Sequence, residues 1–180
     1  MINIFLDLDN TLISSEPLDD MDDITIHLEK ILKFDFKIMD DIYIVCARPH
    51  LQTFLDFIFK HFKVNVWTAA SKSYAIFVIN EFILKKNPSR QLNYIFFDKH
   101  CKASQRKYNT IKKLQMIWSK FSTQLNSDNT FIIDDLDEVC DIQPENCFHI
   151  APFDFLNSNS ENDKELLKMI KTLKKKFHIK

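Results

Sequence analysis

The chain opens Met-Ile-Asn-Ile-Phe-Leu-Asp-Leu-Asp-Asn-Thr-Leu, an apolar run that ends in two carboxylates, Asp7 and Asp9, followed at once by Thr11 and Leu12. A buried strand has no structural use for two acids at its exit. An ionised carboxylate is costly to desolvate unless it is paired, hydrogen-bonded or bound to a metal. Alternation along an extended segment aims Asp7 and Asp9 the same way. Two such acids at the C-terminal end of a strand can form one wall of a cation site, in the crevice where open α/β sheets bind ligands. The plainer alternative is a strand followed by an acidic turn.

Two further strand exits carry polar groups. Val66-Trp67-Thr68-Ala69-Ala70-Ser71 places a hydroxyl between an apolar strand and a helix. There Thr68 Oγ1 and the Ala69 N–H can both face a phosphate, and a helix N-terminus adds favourable potential. Taken alone, the same threonine reads as a helix cap. Phe131-Ile132-Ile133-Asp134-Asp135 is a second apolar run ending in carboxylates. An acidic N-cap of the next helix would explain one of these two acids but not both.

The elements that must position these groups follow from periodicity. Strand character marks residues 2–8, 42–46, 64–67, 94–97, 130–133 and 147–150. Between them lie helical stripes. One is Leu51, Phe54, Leu55, Ile58 and Phe62 behind Pro49. Others are Tyr74, Phe77, Val78 and Phe82 behind the N-cap Ser71, then Ile111, Leu114, Trp118, Phe121 and Leu125, and Leu166, Leu167, Ile170, Leu173 and Phe177. The basic run Lys174-Lys175-Lys176 reads as a solvated helix end that suits the helix dipole. Strands alternating with helices argue for a parallel sheet with helices on both faces. Two stretches break the rhythm: the acidic 13–41, with Glu16, Asp19, Asp20, Asp22 and Asp23, and the basic 98–108.

Composition narrows the classes. The 180 residues suffice for one well-packed domain, and 46% hydrophobic and 13% aromatic residues argue for a substantial core. A net charge of −1 gives no general pull toward nucleic acid or membrane, and no apolar run approaches the ~20 residues of a membrane span. Met1 leads straight into the first strand without a basic signal region. The four cysteines, 46, 101, 140 and 147, show no Cys-x-x-Cys pair or zinc spacing and read as reduced, which fits an intracellular protein. There is no glycine at all, against an average of roughly 7%, so Walker and dinucleotide-binding loops are ruled out. Turns at positive φ must then use Asn or Asp, with 126–129 and 157–160 the expected places.

Asp7-Leu8-Asp9-Asn10-Thr11-Leu12 resembles the first motif, Asp-x-Asp-x-Thr-Leu, of the haloacid-dehalogenase (HAD) superfamily of phosphohydrolases. Leu8 and Leu12 resemble its branch of RNA polymerase II C-terminal-domain (CTD) phosphatases, the TFIIF-associating and small CTD phosphatases. Thr68-Ala69-Ala70-Ser71 is similar to the second motif, commonly Phe-Thr-Ala-Ser. Residues 108–114 are similar to Tyr-Val-Lys-Asp-Leu, which places Lys112 at the catalytic lysine and Lys113 where the family usually has Asp. Ile132-Ile133-Asp134-Asp135 is similar to the fourth motif, and Ala47-Arg48-Pro49 to the family's Arg-Pro. Phe97-Asp98-Lys99-His100-Cys101 looks like the start of its small β insertion. The motifs stand in the family's order over most of the chain. The richness in Lys, Asn, Ile and Phe also resembles an AT-rich coding genome, as in some large DNA viruses.

The resemblance implies an α/β, Rossmann-like HAD fold over residues 1–180 as one domain, with strand 1 at the centre of a parallel sheet, a minimal cap and a small β insertion. It implies a Mg²⁺-dependent phosphatase. Asp7 is the nucleophile that becomes an aspartyl-phosphate, and Asp9 the acid and then the base, neutral at the moment of attack. Thr68 and Lys112 hold the phosphoryl oxygens, with Ala69 beside them. Arg48 either reaches the phosphate or substrate or pairs with a carboxylate. Mg²⁺ falls to Asp7, the Asp9 carbonyl and Asp134 or Asp135, with Asp135 expected as the direct ligand and the other acid fixing a water or Lys112. A helix through Ile111 and Leu114 would send Lys112 and Lys113 to opposite sides. The implied substrate is phosphoserine or phosphothreonine in a protein or peptide, with no membrane partner and nucleic acid not expected. The alternatives are a nucleotide, nucleic-acid end or small metabolite clamped by 98–108, and a binding module that keeps only the fold.

Overall fold

Asn3–Leu6 forms strand β1, whose alternation sends Ile4 and Leu6 to one face of a sheet and Phe5 to the other. All four residues are buried, the pattern of a strand covered on both sides. The computed structural model describes residues 1–18 and 24–180, with the side chains of 24–26 left aside. Asp19, Asp20, Asp22 and Asp23 of the acidic row lie outside the described residues.

β1 is the middle of a five-stranded parallel sheet. It pairs on one side with β5 (Lys63–Trp67) and on the other with β7 (Thr130–Asp134). β6 (Ile95–Phe96) and β8 (Cys147–His149) form the edges. Ile4 and Leu6 pack with Val64, Val66, Phe131 and Ile133 against α2 (Leu51–His61), α3 (Lys72–Val78) and α7 (Glu165–Lys176). Phe5, Trp67 and Ile132 face α4 (Asp98–Tyr108), α5 (Leu114–Lys120) and α6 (Asp137–Asp141). The result is an α/β sandwich of helix, parallel sheet and helix. Because β1, β5 and β7 run the same way, Asp7, Thr68 and Asp134 come out on one rim.

The local signals explain the helices. α2 buries Leu51, Phe54, Leu55 and Ile58, one stripe of 3.6-residue period. α3 is capped by Ser71, whose hydroxyl accepts the Tyr74 N–H, and passes into a π-helical turn at Ile79–Leu84. α7 buries Leu166, Met169 and Leu173 and carries its three lysines in the last turn.

Three departures from the sequence reading have physical causes. Of residues 42–46, 43–46 fall in β4 (Tyr43–Ala47), which lies in a separate antiparallel sheet between β2 (Ile13–Pro17) and β3 (Phe36–Met39), not in the parallel one. The stretch 13–41 therefore holds β2, helix α1 (Ile24–Ile31) and β3, and the β insertion sits here rather than after Phe97, where the chain forms α4. Asp40 and Asp41, at φ 50 and 53°, turn β3 into β4. The helix expected from Ile111 begins only at Leu114, because Lys112 takes φ 53° and breaks it. Finally, Cys140 and Cys147 are joined as a disulfide, where four reduced thiols were expected. The 3₁₀ turn Pro144–Asn146 doubles the chain back and brings the ends of α6 and β8 together, with Cα atoms 5.1 Å apart. Cys46 and Cys101 are buried free thiols, and burial pushes them up to about 12 and about 11.

The missing glycines are replaced largely as expected. Asn10, Asp40, Asp41, Asn109 and Asn159 adopt positive φ, joined by His50, Lys112 and His178. The 126–129 turn needs no such residue, since Asn126 Oδ1 accepts the N–H groups of Asp128 and Asn129 at 3.0 and 3.1 Å. Among the described residues no helix is long and apolar enough to cross a membrane.

Phe54 is fully buried between α2 and the sheet. Phe54→Ala should lower stability by about 3–5 kcal/mol, from lost transfer free energy and the cavity left behind. Urea denaturation should show a lower midpoint at an unchanged slope.

Candidate active site

At the rim, the Lys112 ammonium lies 2.6 Å from Asp7 Oδ1 and 2.8 Å from Asp134 Oδ2. Lys112 is 1% exposed, Asp7 4% and Asp134 0%, so the three charges face one another with almost no water between. Burial drives the Asp7 carboxyl well above its ordinary range, with Lys112 pulling the other way. Asp134 is raised for the same reason and opposed by the same ammonium. Burial alone would lower Lys112, but Asp7 and Asp134 together hold it above its ordinary value.

Lys112 is delivered by a tight turn, not by a helix face. A lysine in the left-handed region costs about 1–3 kcal/mol unless its surroundings over-determine it. Here they do. Gln143, buried, donates from Nε2 to the Lys112 carbonyl at 3.0 Å and accepts the Leu114 N–H on Oε1 at 3.0 Å. Ser104, also buried, donates to the Thr110 carbonyl at 2.8 Å and accepts the Lys113 N–H at 3.0 Å. Lys113 points away and donates to the Ile142 carbonyl at 2.6 Å. The two lysines thus separate, through a turn rather than through helical geometry.

Asp9 takes a different environment. Its carboxylate accepts from Tyr74 Oη at 2.7 Å and from Thr68 Oγ1 at 3.5 Å. Burial raises the Asp9 carboxyl, and the Tyr74 hydrogen bond opposes that rise. Tyr74 is itself raised, first by burial and then by the Asp9 charge. Thr68 is fully buried and accepts the Ala70 N–H at 3.0 Å, while Ala69 sits exposed at the turn. The sequence placed Tyr74 only as a core residue of α3. Its i+3 relation to Ser71 was the available sign that its hydroxyl faces the same rim.

Asp135 completes the wall. Thr11 Oγ1 donates to its Oδ1 at 3.1 Å, tying the exit of β1 to that of β7. Its carbonyl is 2.9 Å from His149 Nε2, which also lies 3.2 Å from Asp137. Carboxylate oxygens of Asp7, Asp134 and Asp135 all lie within 4.8 Å of one another. Three carboxylates against one ammonium leave the cluster anionic, and hard oxygen donors suit Mg²⁺. The donor set therefore fits a divalent cation.

Arg48 is brought to the site's underside, not to its mouth. Each of its N–H groups has an acceptor. Nε and Nη2 reach the Asp163 carboxylate at 3.0 and 2.9 Å, Nη1 reaches the Asn10 and Thr11 carbonyls at 3.4 and 3.1 Å, and Nη2 reaches Ala151 at 2.7 Å. The guanidinium also lies 5.5 Å from the Phe153 ring centre. Of the two sequence readings, the carboxylate pair is the one these distances describe. Arg48 braces the loop that follows Asp9.

The family model of NLI interacting factor-like phosphatases matches residues 2–179. The chain is 53% identical over 173 residues to a CTD phosphatase-like protein of Invertebrate iridescent virus 6, covering 94% of this chain and 95% of that one. It is 29% identical over 130 residues to the ubiquitin-like domain-containing CTD phosphatase 1 of Danio rerio, covering 71% of this chain and 41% of that protein. Among solved structures, that of Fcp1, an essential RNA polymerase II CTD phosphatase, superposes with a TM-score of 0.59 at 17% identity. That match covers 97% of this chain and 50% of the solved chain, and shows the shared fold.

Two predictions follow from this geometry. Lys112→Ala should lower phosphatase turnover on the order of 10²–10³, the scale of losing one oxyanion donor, while Lys113→Ala keeps most of it. Rates measured alongside thermal melting will separate chemistry from folding, because the buried carboxylates lose their partner in the first variant. Tyr74→Phe should raise the Asp9 carboxyl further, because the hydrogen bond that lowers it is lost, and should move the alkaline limb of the phosphatase pH–rate profile to higher pH. A kcat profile against pH checks this; an unchanged profile would leave Tyr74 a packing residue.

Proposed function

Because the chain belongs to the family of NLI interacting factor-like phosphatases, we propose that it hydrolyses phosphoserine or phosphothreonine in protein through an aspartyl-phosphate on Asp7. The observation that carries the reading is the division between the two acids of the first strand exit. Asp7 is gripped by Lys112 and belongs to the carboxylate cluster, whereas Asp9 is turned to Tyr74 and Thr68. Two carboxyls in different environments suit two roles.

In this mechanism an Asp7 carboxylate oxygen attacks phosphorus, the bond to the seryl or threonyl oxygen breaks, and the Asp9 carboxyl gives that oxygen its proton. Asp9, now a carboxylate, takes a proton from the water that attacks phosphorus next, and Asp7 is released. Burial raises both carboxyls, but only Asp7 is in contact with an ammonium that opposes its protonation, so Asp9 is the acid left to carry the proton the first step needs. Lys112, Thr68 Oγ1 and the Ala69 N–H hold the transferring oxygens. Lys112 begins in contact with Asp7 and Asp134, so it stays fixed as charge moves between nucleophile and phosphate. Mg²⁺ would be held by Asp7, the Asp9 carbonyl and Asp135, with Asp134 given to Lys112. When bound it supplies the charge screening that lets a carboxylate approach a phosphate.

The protein substrate rests on the openness of the site. The insertion that accompanies the parallel sheet is a three-stranded sheet rather than an enclosing domain. An open crevice suits a phosphate carried on a chain more than a small molecule that must be enclosed. The CTD phosphatase names of the relatives support the same class.

Asp7→Asn should abolish turnover of p-nitrophenyl phosphate with the fold intact by circular dichroism, since an amide neither attacks phosphorus nor binds Mg²⁺ well. EDTA should abolish wild-type activity and excess Mg²⁺ restore it. Alkylating the thiols of the folded protein should leave it unchanged. Loss on alkylation with survival in EDTA would assign the chemistry to another phosphatase class.

A further inference from the structure

The charge of the chain is unevenly spread. Residues 98–127, which contain α4 and α5, carry seven Lys or Arg and a single acid, Asp98, in a protein whose net charge is −1. Lys99, Lys102, Arg106, Lys107 and Lys120 are exposed. Among the described residues only Lys102 of these five is ion-paired, to Asp98 at 2.9 Å. None of the five has a part in the chemistry above. Surface cations left without counter-charges on one face form a field that draws anions.

The same face holds an apolar cleft of about 330 Å³ between α4 and α5. Ala103, Met116 and Ile117 line it with Phe96, Phe121 and His100, whose ring packs on Phe96 at 4.8 Å, and Lys120 also lines it. The ring faces are already used inside the protein: Phe96 stacks on Phe5 at 5.7 Å and Phe121 packs on Tyr94 at 5.0 Å. Nucleic-acid bases would need such faces for stacking. The cleft offers instead the aliphatic surface of Ala103, Met116 and Ile117, which suits an aliphatic or aromatic side chain.

One wall of the cleft, α4, starts against the active-site rim. The N–H of Asp98, first residue of α4, donates to the Ala70 carbonyl at 2.9 Å, and Cys101 Sγ donates to the Thr68 carbonyl at 3.5 Å. Lys112 enters the site from the turn that joins α4 to α5. A chain whose phosphate sits against Thr68 and Lys112 can therefore run directly over this face.

We propose that the cleft between α4 and α5 docks an anionic segment of the substrate polypeptide that carries one large apolar side chain. The apolar residue fills the cleft, and acidic or phosphorylated neighbours meet Lys99, Lys107 and Lys120. The proposal rests on the protein-phosphatase reading and names the substrate feature that reading lacks. It makes affinity depend on sequence outside the phosphorylated residue and weakens it with salt.

The test uses the full chain and a fluorescein-labelled, unphosphorylated peptide with a leucine flanked by glutamates. Anisotropy should show binding that weakens roughly tenfold in the Lys99→Glu, Lys120→Glu double variant, and comparably when the peptide's leucine is replaced by serine. Turnover of p-nitrophenyl phosphate should not change. The KM of a phosphoserine peptide should fall when the same flank is attached, and this gain should vanish in Met116→Glu. No binding, binding indifferent to the charge reversal and to the leucine, or displacement of the peptide by single-stranded DNA of equal charge would each overturn the proposal. Leucine- and lysine-dependent binding without turnover of any phosphoserine peptide would uphold the docking site and count instead against the substrate reading.

Discussion

An ammonium held between two buried carboxylates is the constraint on which this structure turns. Lys112 bridges Asp7 of the first strand and Asp134 of the fourth motif, with contacts of 2.6 and 2.8 Å. A buried ion pair stabilises little, since desolvation consumes most of the attraction, but an unpartnered buried charge is costly. The carboxylates therefore demand Lys112, and Lys112 demands the turn that delivers it. That turn needs a left-handed backbone at a lysine, and Gln143 and Ser104 exist in the core chiefly to hold it there. In a chain without glycine this is a considerable concession. The result is a cation fixed in place by the fold itself, as the electrostatic preorganisation of the proposed mechanism requires.

The sheet order explains why so few residues suffice. β1 lies between β5 and β7, so one central strand exit is flanked by the two that carry Thr68 and the aspartate pair. Groups separated by more than a hundred residues in sequence become neighbours without any long loop reaching for them. The alternation of Ile4, Phe5 and Leu6 between two hydrophobic cores makes that geometry rigid.

Much of this was legible in the sequence, for identifiable reasons. Apolar runs ending in acids mark strand exits, since burial and charge conflict nowhere else so sharply. The stripe of α2 and the Ser71 cap were read directly from periodicity and side-chain chemistry, whereas on α7 the expected stripe took Leu167 in place of the buried Met169. The antiparallel sheet was not, because Ile13-Ser-Ser-Glu-Pro has no clean alternation and its partners are set by tertiary pairing. The turn at Lys112 was hidden because its supports, Ser104 and Gln143, lie 8 and 31 residues away. The Cys140–Cys147 link was missed because its spacing matches no recognised pattern and depends on the intervening 3₁₀ turn. Arg48 was visible as a motif residue, but no local signal could tell a phosphate from the distant carboxylate of Asp163.

That saturated guanidinium has a consequence for how the protein comes into being. Through Arg48 the segment just after Asp9 is tied to acceptors 103 and 115 residues beyond Arg48, at Ala151 and Asp163. Contacts so far apart in sequence form only after a large loop has closed, so the chain must bring its distant segments together before this brace exists. The loop that follows Asp9 is therefore braced only once residues 151–163 have docked against it, and the order of the rim is tied to the folding of the whole.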